Sequence, residues 1–331
     1  MVIVMARKYI KNNILISNEL EELKELVLNY TNNPIFITDN NLYNLYQNEL
    51  TTIFNNPRFI VVNEGEVSKS LETIGYLTDE LIKLGVTREE YLIAFGGGAI
   101  LDLVGFLAGI LYRGINVIYI PTSLLAMVDA SVGGKTAINF GSYKNILGLF
   151  REPNMIYINR VFLKTLPYDE YICGMGEVIK YKMLDKDFDL NLDINEIIIN
   201  SILLKNKYVE EDFYDKGTRM MLNLGHTFGH HLELKYNISH GLAVLNGINL
   251  ILKLEKDLKL INDEIISYYL NIINNYNIKL LDIDYKEYLD LIFIDKKNIK
   301  NTLNLIFIDN NLNPFIYKTT KEDLYAKLKN K

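Results

Sequence analysis

The 331-residue chain holds a single cysteine, Cys173. That excludes an intramolecular disulfide and a cysteine-rich zinc module, and it suits a reducing compartment. No uncharged apolar run reaches the roughly 18 residues that a membrane-spanning helix needs. The most apolar stretch, 97–112, is interrupted by Asp102. The opening MVIVMARKYIKNN lacks the basic, apolar and cleavage regions of a secretory signal, so a cytoplasmic protein is expected. Long basic runs are also missing and the net charge is −6, which argues against a nucleic-acid partner held by phosphate neutralisation. Without low-complexity tracts, the chain is long enough for two domains with cores of their own. Histidine is scarce as well. All four, His226, His230, His231 and His240, fall within LNLGHTFGHHLELKYNISHG (222–241).

Histidine is the commonest metal ligand and a frequent general acid or base. On a helix, His226 and His230 share one face, where their rings can converge on one ion or one substrate. Solvated or hydrogen-bonded histidines on that face are the alternative reading. His231 points about 100° away around the helix. His240 lies beyond a break expected at 237–239 and can return from the next element.

In the first half, strand-like runs alternate with helical ones. Strands are expected at 34–38, 58–62, 91–95 and 116–120, and helices at 41–49, 70–85 and 99–111. Leu71, Ile74, Leu77, Leu81 and Leu84 have the spacing of one buried helical face. Such alternation implies a parallel sheet whose ligands sit at the carboxyl ends of its strands. Gly96, Gly97 and Gly98 follow the third strand directly. There they suit the cradling of a pyrophosphate at a helix N-terminus, with a purely steric glycine turn as the alternative. Asp39 ends the first strand, as a ribose acceptor or, equally, as the N-cap of the helix from Asn41.

The stretch PTSLLAMVDASVGGKTAIN (121–139) reads as a polar loop suited to anion capture, with Lys144 and Asn145 just behind it. Its GGKT is not the tail of a P-loop, because the required upstream glycine is replaced by Asp129. From about residue 162 the apolar spacing is mostly helical, at 172–183, 196–209, 218–234, 243–258 and 264–276. A hairpin is expected from 303–308 and 315–317. The fold class is therefore α/β, with a Rossmann-like N-terminal domain (1–160) followed by a mainly α-helical domain (161–331).

GGGAILDLVGFLAGILYRG (96–114), the 121–139 stretch, KN (144–145), LKTLP (163–167), GEVIKY (176–181), LNLGHTFGH (222–230), HG (240–241) and DKK (295–297) resemble, in order, the signatures of the 3-dehydroquinate synthase family. The resemblance spans roughly residues 35 to 310. It implies conversion of 3-deoxy-D-arabino-heptulosonate 7-phosphate to 3-dehydroquinate and phosphate, in the shikimate route to aromatic compounds. Oxidation at C5 by bound NAD, loss of phosphate, return of the hydride, ring opening and aldol closure regenerate NAD at each turnover.

The same resemblance implies a divalent metal, zinc or cobalt, on Glu177, His226 and His240, leaving His230 beside the substrate phosphate. It assigns NAD to Asp39, Asn41, Glu66, Lys69, Gly97, Gly98, Asp102, Thr122, Ser123, Thr165 and Leu166, with Lys135 and Lys144 shared with the substrate. Substrate contacts fall to Asn145, Lys180, Lys205, Arg219, Asn223, His230 and Lys296 or Lys297. Arg113 would reach the phosphate site of a second subunit, so a homodimer is expected. Catalysis would fall to Asp129, Lys135, Lys180, Asn223 and His230.

The chain departs from the family pattern at Leu242, where an acidic residue usually follows His240-Gly241. The spacing before that motif is slightly short, Ser123 replaces a common threonine, and Gly176 replaces a common alanine. The competing readings are a metal- and NAD-dependent polyol or glycerol-phosphate dehydrogenase, a cyclase for another sugar phosphate, and a descendant that only binds ligand.

Overall fold

The computed structural model describes residues 8–11, 13–141, 143–294 and 302–329. The chain divides into two compact units between Pro167 and Tyr168.

The first unit runs β1 (Lys8–Lys11), β2 (Ile14–Ser17), α1 (Leu20–Leu28), β3 (Ile35–Asp39), α2 (Asn40–Ile53), β4 (Arg58–Val62), α3 (Leu71–Lys83), β5 (Tyr91–Gly96), α4 (Gly98–Ile110), β6 (Asn116–Pro121), β7 (Lys135–Phe140), β8 (Tyr143–Phe150) and β9 (Met155–Asn159). Seven strands form one sheet in the order β1-β2-β9-β6-β5-β3-β4, parallel apart from the β1–β2 pair. Strands β3 and β9 are buried along their whole length, as a sheet covered on both faces requires. Leu77 and Leu81 of α3 are fully buried, each contributing about 1.5–3 kcal/mol of apolar transfer. Ser70 caps that helix by accepting from the Thr73 N–H.

The strand order places one feature. The chain leaves β3 outward to β4 but leaves β5 in the opposite direction, to β6. The crevice beyond the carboxyl ends of β3 and β5 is thus the topological switch point, where open α/β sheets bind ligands. Asp39 ends one of those strands and Gly96 the other.

The 121–139 stretch corrects the loop reading. Its first part winds into a π-helical turn, Ala126–Ala130, and its last part is β7, paired antiparallel with β8. Small and polar residues masked the strand, because only Thr136 and Ile138 of β7 face the interior.

The second unit comprises α5 (Tyr168–Leu184), α6 (Ile194–Glu211), α7 (His226–Tyr236), α8 (His240–Asp257), α9 (Asp263–Asn275), α10 (Leu289–Ile294), the hairpin β10 (Thr302–Ile308) and β11 (Pro314–Thr320), and α11 (Lys321–Lys329). Helix α8 is buried on nearly every side, packed by α5, α7, α9 and β10. The continuous helix expected over 218–234 is broken. A 3-10 segment, Thr218–Asn223, gives way at Gly225, whose φ of +79° is left-handed, and α7 starts only at His226. A side chain at Gly225 would also strike the backbone oxygen of Val244, so the break and the tight α7–α8 packing share one residue. Asn237, at φ 49°, ends α7, and His240 begins α8.

Candidate active site

Three helices of the second unit each contribute one metal-ligand type: Glu177 from α5, His226 from the start of α7 and His240 from the start of α8. One ligand atom from each lies within 4.8 Å of the others. Glu177 Oε1 is 3.6 Å from His226 Nε2 and 3.4 Å from His240 Nε2. The approach of α5 to α8 depends on glycine. A Cβ on Gly176 would come within 2.5 Å of Gly241 Cα, and one on Gly241 would strike the Cys173 carbonyl. These glycines directly precede Glu177 and follow His240, so their contact sets how near the two ligands come.

Each imidazole is oriented through its other nitrogen. His226 Nδ1 lies 3.2 Å from the Leu224 carbonyl, and His240 Nδ1 lies 3.1 Å from Glu233 Oε2. Burial, reinforced by Lys180, holds the His226 imidazole well below its usual range, which favours the neutral form that binds a metal. Burial also opposes charge on His240, but hydrogen bonds to Glu177 and Glu233 outweigh it and push that ring up to about 10. One carboxylate and two imidazoles are the donor set of a catalytic zinc with open positions, so these residues fit such an ion.

Around this centre, Lys180 pairs with Glu177 Oε2. His230 stacks edge-on against His226, with ring centroids 5.4 Å apart, and is exposed. Lys205 on α6 and Arg219 in the 3-10 segment are buried, on elements that pack together. Arg219 is held by a local device: the Asp212 carboxylate accepts backbone N–H groups of Lys216, Gly217 and Arg219, while the guanidinium donates to the Phe213 carbonyl. Asn223 is exposed at the end of the same segment. Lys296 and Lys297 lie outside the described residues.

In the first unit, Gly97 is the N-cap of α4 and no side chain caps it. A Cβ on Gly97 would meet Ser123 Oγ at 3.5 Å, and one on Gly98 would meet Ala130 at 3.3 Å, so the turn nestles against the segment after β6. Thr122, buried, donates its N–H to the Gly96 carbonyl. An uncapped helix N-terminus in a glycine cradle at the switch point fits a dinucleotide's phosphates. Asp39 is indeed an N-cap, accepting from the Leu42 N–H at 2.9 Å, and burial raises its pKa. Asn41 is exposed two residues on.

Lys69 is 3% exposed and reaches Asp102 Oδ2 at 2.7 Å, Asn145 Oδ1 at 2.5 Å and Glu66 Oε1 at 3.4 Å. Asn139, which sequence reasoning did not single out for a role, completes the network by bonding Glu66 and the Asn145 N–H. Asn145 itself sits at φ 53°. Lys135 and Lys144 are exposed on β7 and β8, and Asp129 lies in the π-helical turn. Thr165 is fixed by a 2.6 Å hydrogen bond with Tyr46 OH, two residues before the end of the unit, and Leu166 follows it. Arg113 stands apart, exposed at φ 61° beside Tyr112 at φ 53°.

Two family models match end to end: 3-dehydroquinate synthase N-terminal over 59–173 and 3-dehydroquinate synthase C-terminal over 174–298. The chain belongs to the 3-dehydroquinate synthase family. The 3-dehydroquinate synthase of Alkaliphilus oremlandii is 37% identical over 291 residues, covering 82% of this chain and 80% of that protein. Two solved structures share the fold. A 2-deoxy-scyllo-inosose synthase, complexed with carbaglucose-6-phosphate, NAD+ and Co2+, aligns with a TM-score of 0.81 at 23% identity, covering 98% of this chain and 99% of its own. The 2-epi-5-epi-valiolone synthase of Streptomyces hygroscopicus subsp. jinggangensis, with NAD+ and Zn2+ bound, gives 0.83 at 20% identity, covering 99% and 98%. The α/β-plus-helical architecture expected from the sequence is that of this family.

Sequence reasoning missed Glu233, Asp212 and Tyr46. For Glu233 a signal existed, since it lies seven residues after His226 on the same helical face. For Asp212 and Tyr46 there was none, because their roles depend on loop closure and ring packing.

Proposed function

We propose that this chain converts 3-deoxy-D-arabino-heptulosonate 7-phosphate to 3-dehydroquinate and phosphate. The observation that carries the reading is the convergence of Glu177, His226 and His240 in a chain of this family. A divalent ion on those three residues would supply Lewis acidity toward substrate hydroxyls. NAD, on the β3–β5 switch point and the Lys69 network, would supply reversible oxidation of one carbinol.

The chain's own residues supply the rest. Lys180 and Arg219, both buried, offer cationic partners for a substrate carrying a carboxylate and a phosphate. Lys205, Asn223 and Lys296 extend that set. His230 is the proton carrier beside the leaving phosphate, on the same helical face as His226 yet outside the ligand trio. Within the first unit, Asp129, Lys135, Lys144 and Asn145 are the residues this reading gives to ligand contacts.

The reading includes a cytoplasmic homodimer. Buried Cys173 suits a reducing compartment, and no helix among the described residues is long and apolar enough to cross a membrane. Exposed Arg113, on a backbone held in the left-handed region, suits a role toward a second subunit.

A phosphate-release assay tests the reading. Release from the heptulosonate phosphate should be lost with chelator and return with Zn2+ or Co2+, with no net NADH. Release from another sugar phosphate instead would reassign the substrate, and net NADH would point to a dehydrogenase. His226→Ala should abolish turnover, whereas His231→Ala should retain it.

A further inference from the structure

Helix α7 carries His226, His230 and Glu233 at positions i, i+4 and i+7, which line one face. Glu233 closes that row and meets the first residue of the next helix, with Oε2 3.1 Å from His240 Nδ1. The ring's other nitrogen faces Glu177 Oε1 at 3.4 Å. His240 therefore stands between two carboxylates, one on the metal side and one behind it.

The two imidazoles of the trio are not held alike. His226 rests against a neutral carbonyl within its own segment, and its side chain is 15% exposed. His240 is 30% exposed, at a helix start, and Leu242 rather than a carboxylate follows its motif. Such a ring needs a partner to fix its plane and tautomer. A carboxylate at Nδ1 does both, and by drawing on the N–H it makes Nε2 the stronger donor.

We propose that Glu233 is a positioning residue of the metal centre, holding His240 with Nδ1 protonated and Nε2 turned toward the ion. The proposal rests on the metal reading above and deepens it. Glu233 touches neither the ion nor the reacting atoms. Its effect passes through the His240 ring, which it reaches from α7 across the 237–239 junction.

The test uses the full-length protein, stripped of metal, and reads metal binding rather than turnover. Zn2+ affinity is measured by competition with a chromophoric chelator, and the Co2+ complex by its visible absorption. Wild type, Glu233→Ala, Glu233→Gln and His226→Ala are compared. Glu233→Ala should bind Zn2+ about 10–100-fold more weakly and show a displaced Co2+ spectrum. Glu233→Gln keeps an oxygen acceptor at Nδ1 without the charge, so it should fall between Ala and wild type.

Thermal unfolding of the metal-free proteins separates this from general damage, because the Gln variant should melt with wild type. Zn2+ affinities within twofold of wild type and an unchanged Co2+ spectrum in both Glu233 variants would overturn the proposal. If His226→Ala also kept wild-type affinity, the metal reading itself would fall with it. Loss in His226→Ala alone would leave that reading standing and reject only the role of Glu233.

Discussion

Lys180 and Glu177 sit one turn apart on α5 and form an ion pair whose side chains are 2% and 0% exposed. Charges taken that far from water are costly singly and tolerated as a pair. A divalent ion on Glu177 would draw on the same carboxylate, so the lysine and the ion are partial substitutes for one another.

Lys180→Met should accordingly destabilise the metal-free protein by about 3–5 kcal/mol, and saturating Zn2+ should recover most of that loss. Urea unfolding with chelator and with Zn2+ measures both. An equal loss in the two conditions would show that Lys180 does not compensate the carboxylate charge.

Gly176→Ala tests the α5–α8 contact. The added methyl meets Gly241 Cα at 2.5 Å, so overpacking should cost about 1–3 kcal/mol and part Glu177 from His240. Weaker Zn2+ binding should accompany the lower melting temperature. Wild-type values for both would mean that the helices have slack to absorb a methyl group.

Asp212→Ala removes the acceptor of three backbone N–H groups in the segment leading to Arg219. KM for the anionic substrate should rise about 5–30-fold, with kcat less affected. Those backbone bonds, led by Lys216, hold the Asp212 carboxyl below its ordinary 3.8, so its contribution is present above pH 3.8 and fades only in stronger acid. A neutral-pH KM unchanged in the variant would mean that the loop closes without its carboxylate.

Glu255 gives a pH dependence of opposite sense. Burial pushes it up to about 8 despite its bond from the Ile308 N–H, whereas the unfolded chain ionises near the ordinary 4.5. Between those values the native state binds the extra proton. The stability it carries is therefore full below pH 4.5, declines as pH rises, and is gone above about pH 8. Each unit of displacement is worth about 1.4 kcal/mol. Glu255→Gln keeps the acceptor without the charge, so its melting temperature should gain on wild type from pH 5 to pH 9. A constant difference across that range would contradict the assignment.

The sequence was most legible where periodicity and chemistry coincided. Ile74, Leu77 and Leu81 marked the buried face of α3, although Leu71 and Leu84 at its two ends are exposed, and Gly96 to Gly98 marked the strand-to-helix turn because both follow from local backbone physics. The His226–His230 spacing put two rings on one face, but spacing alone left His230 as eligible a ligand as His240. Only the fold brings His240 back from the next helix, and that return depends on long-range packing of Gly176 against Gly241. Strand β7 was hidden for a related reason, since its alternation spans few apolar residues and becomes visible only when β8 lies beside it. The break at Gly225 was written in a glycine, yet the apolar repeat on either side read through it.

Asn145 and Asn237, held at φ 53° and 49°, belong to a wider pattern. Asn56 and Asn277 occupy the same left-handed region, so among the described residues four corners that commonly fall to glycine are given to asparagine. Its short side chain bonds locally and makes that conformation tolerable. Asparagine can thus stand at such corners at little cost to the fold. Gly225 and Gly241 are closed to it, because a side chain there would strike backbone. What evolution can rewrite and what it must preserve are separated here by a few ångströms of empty space.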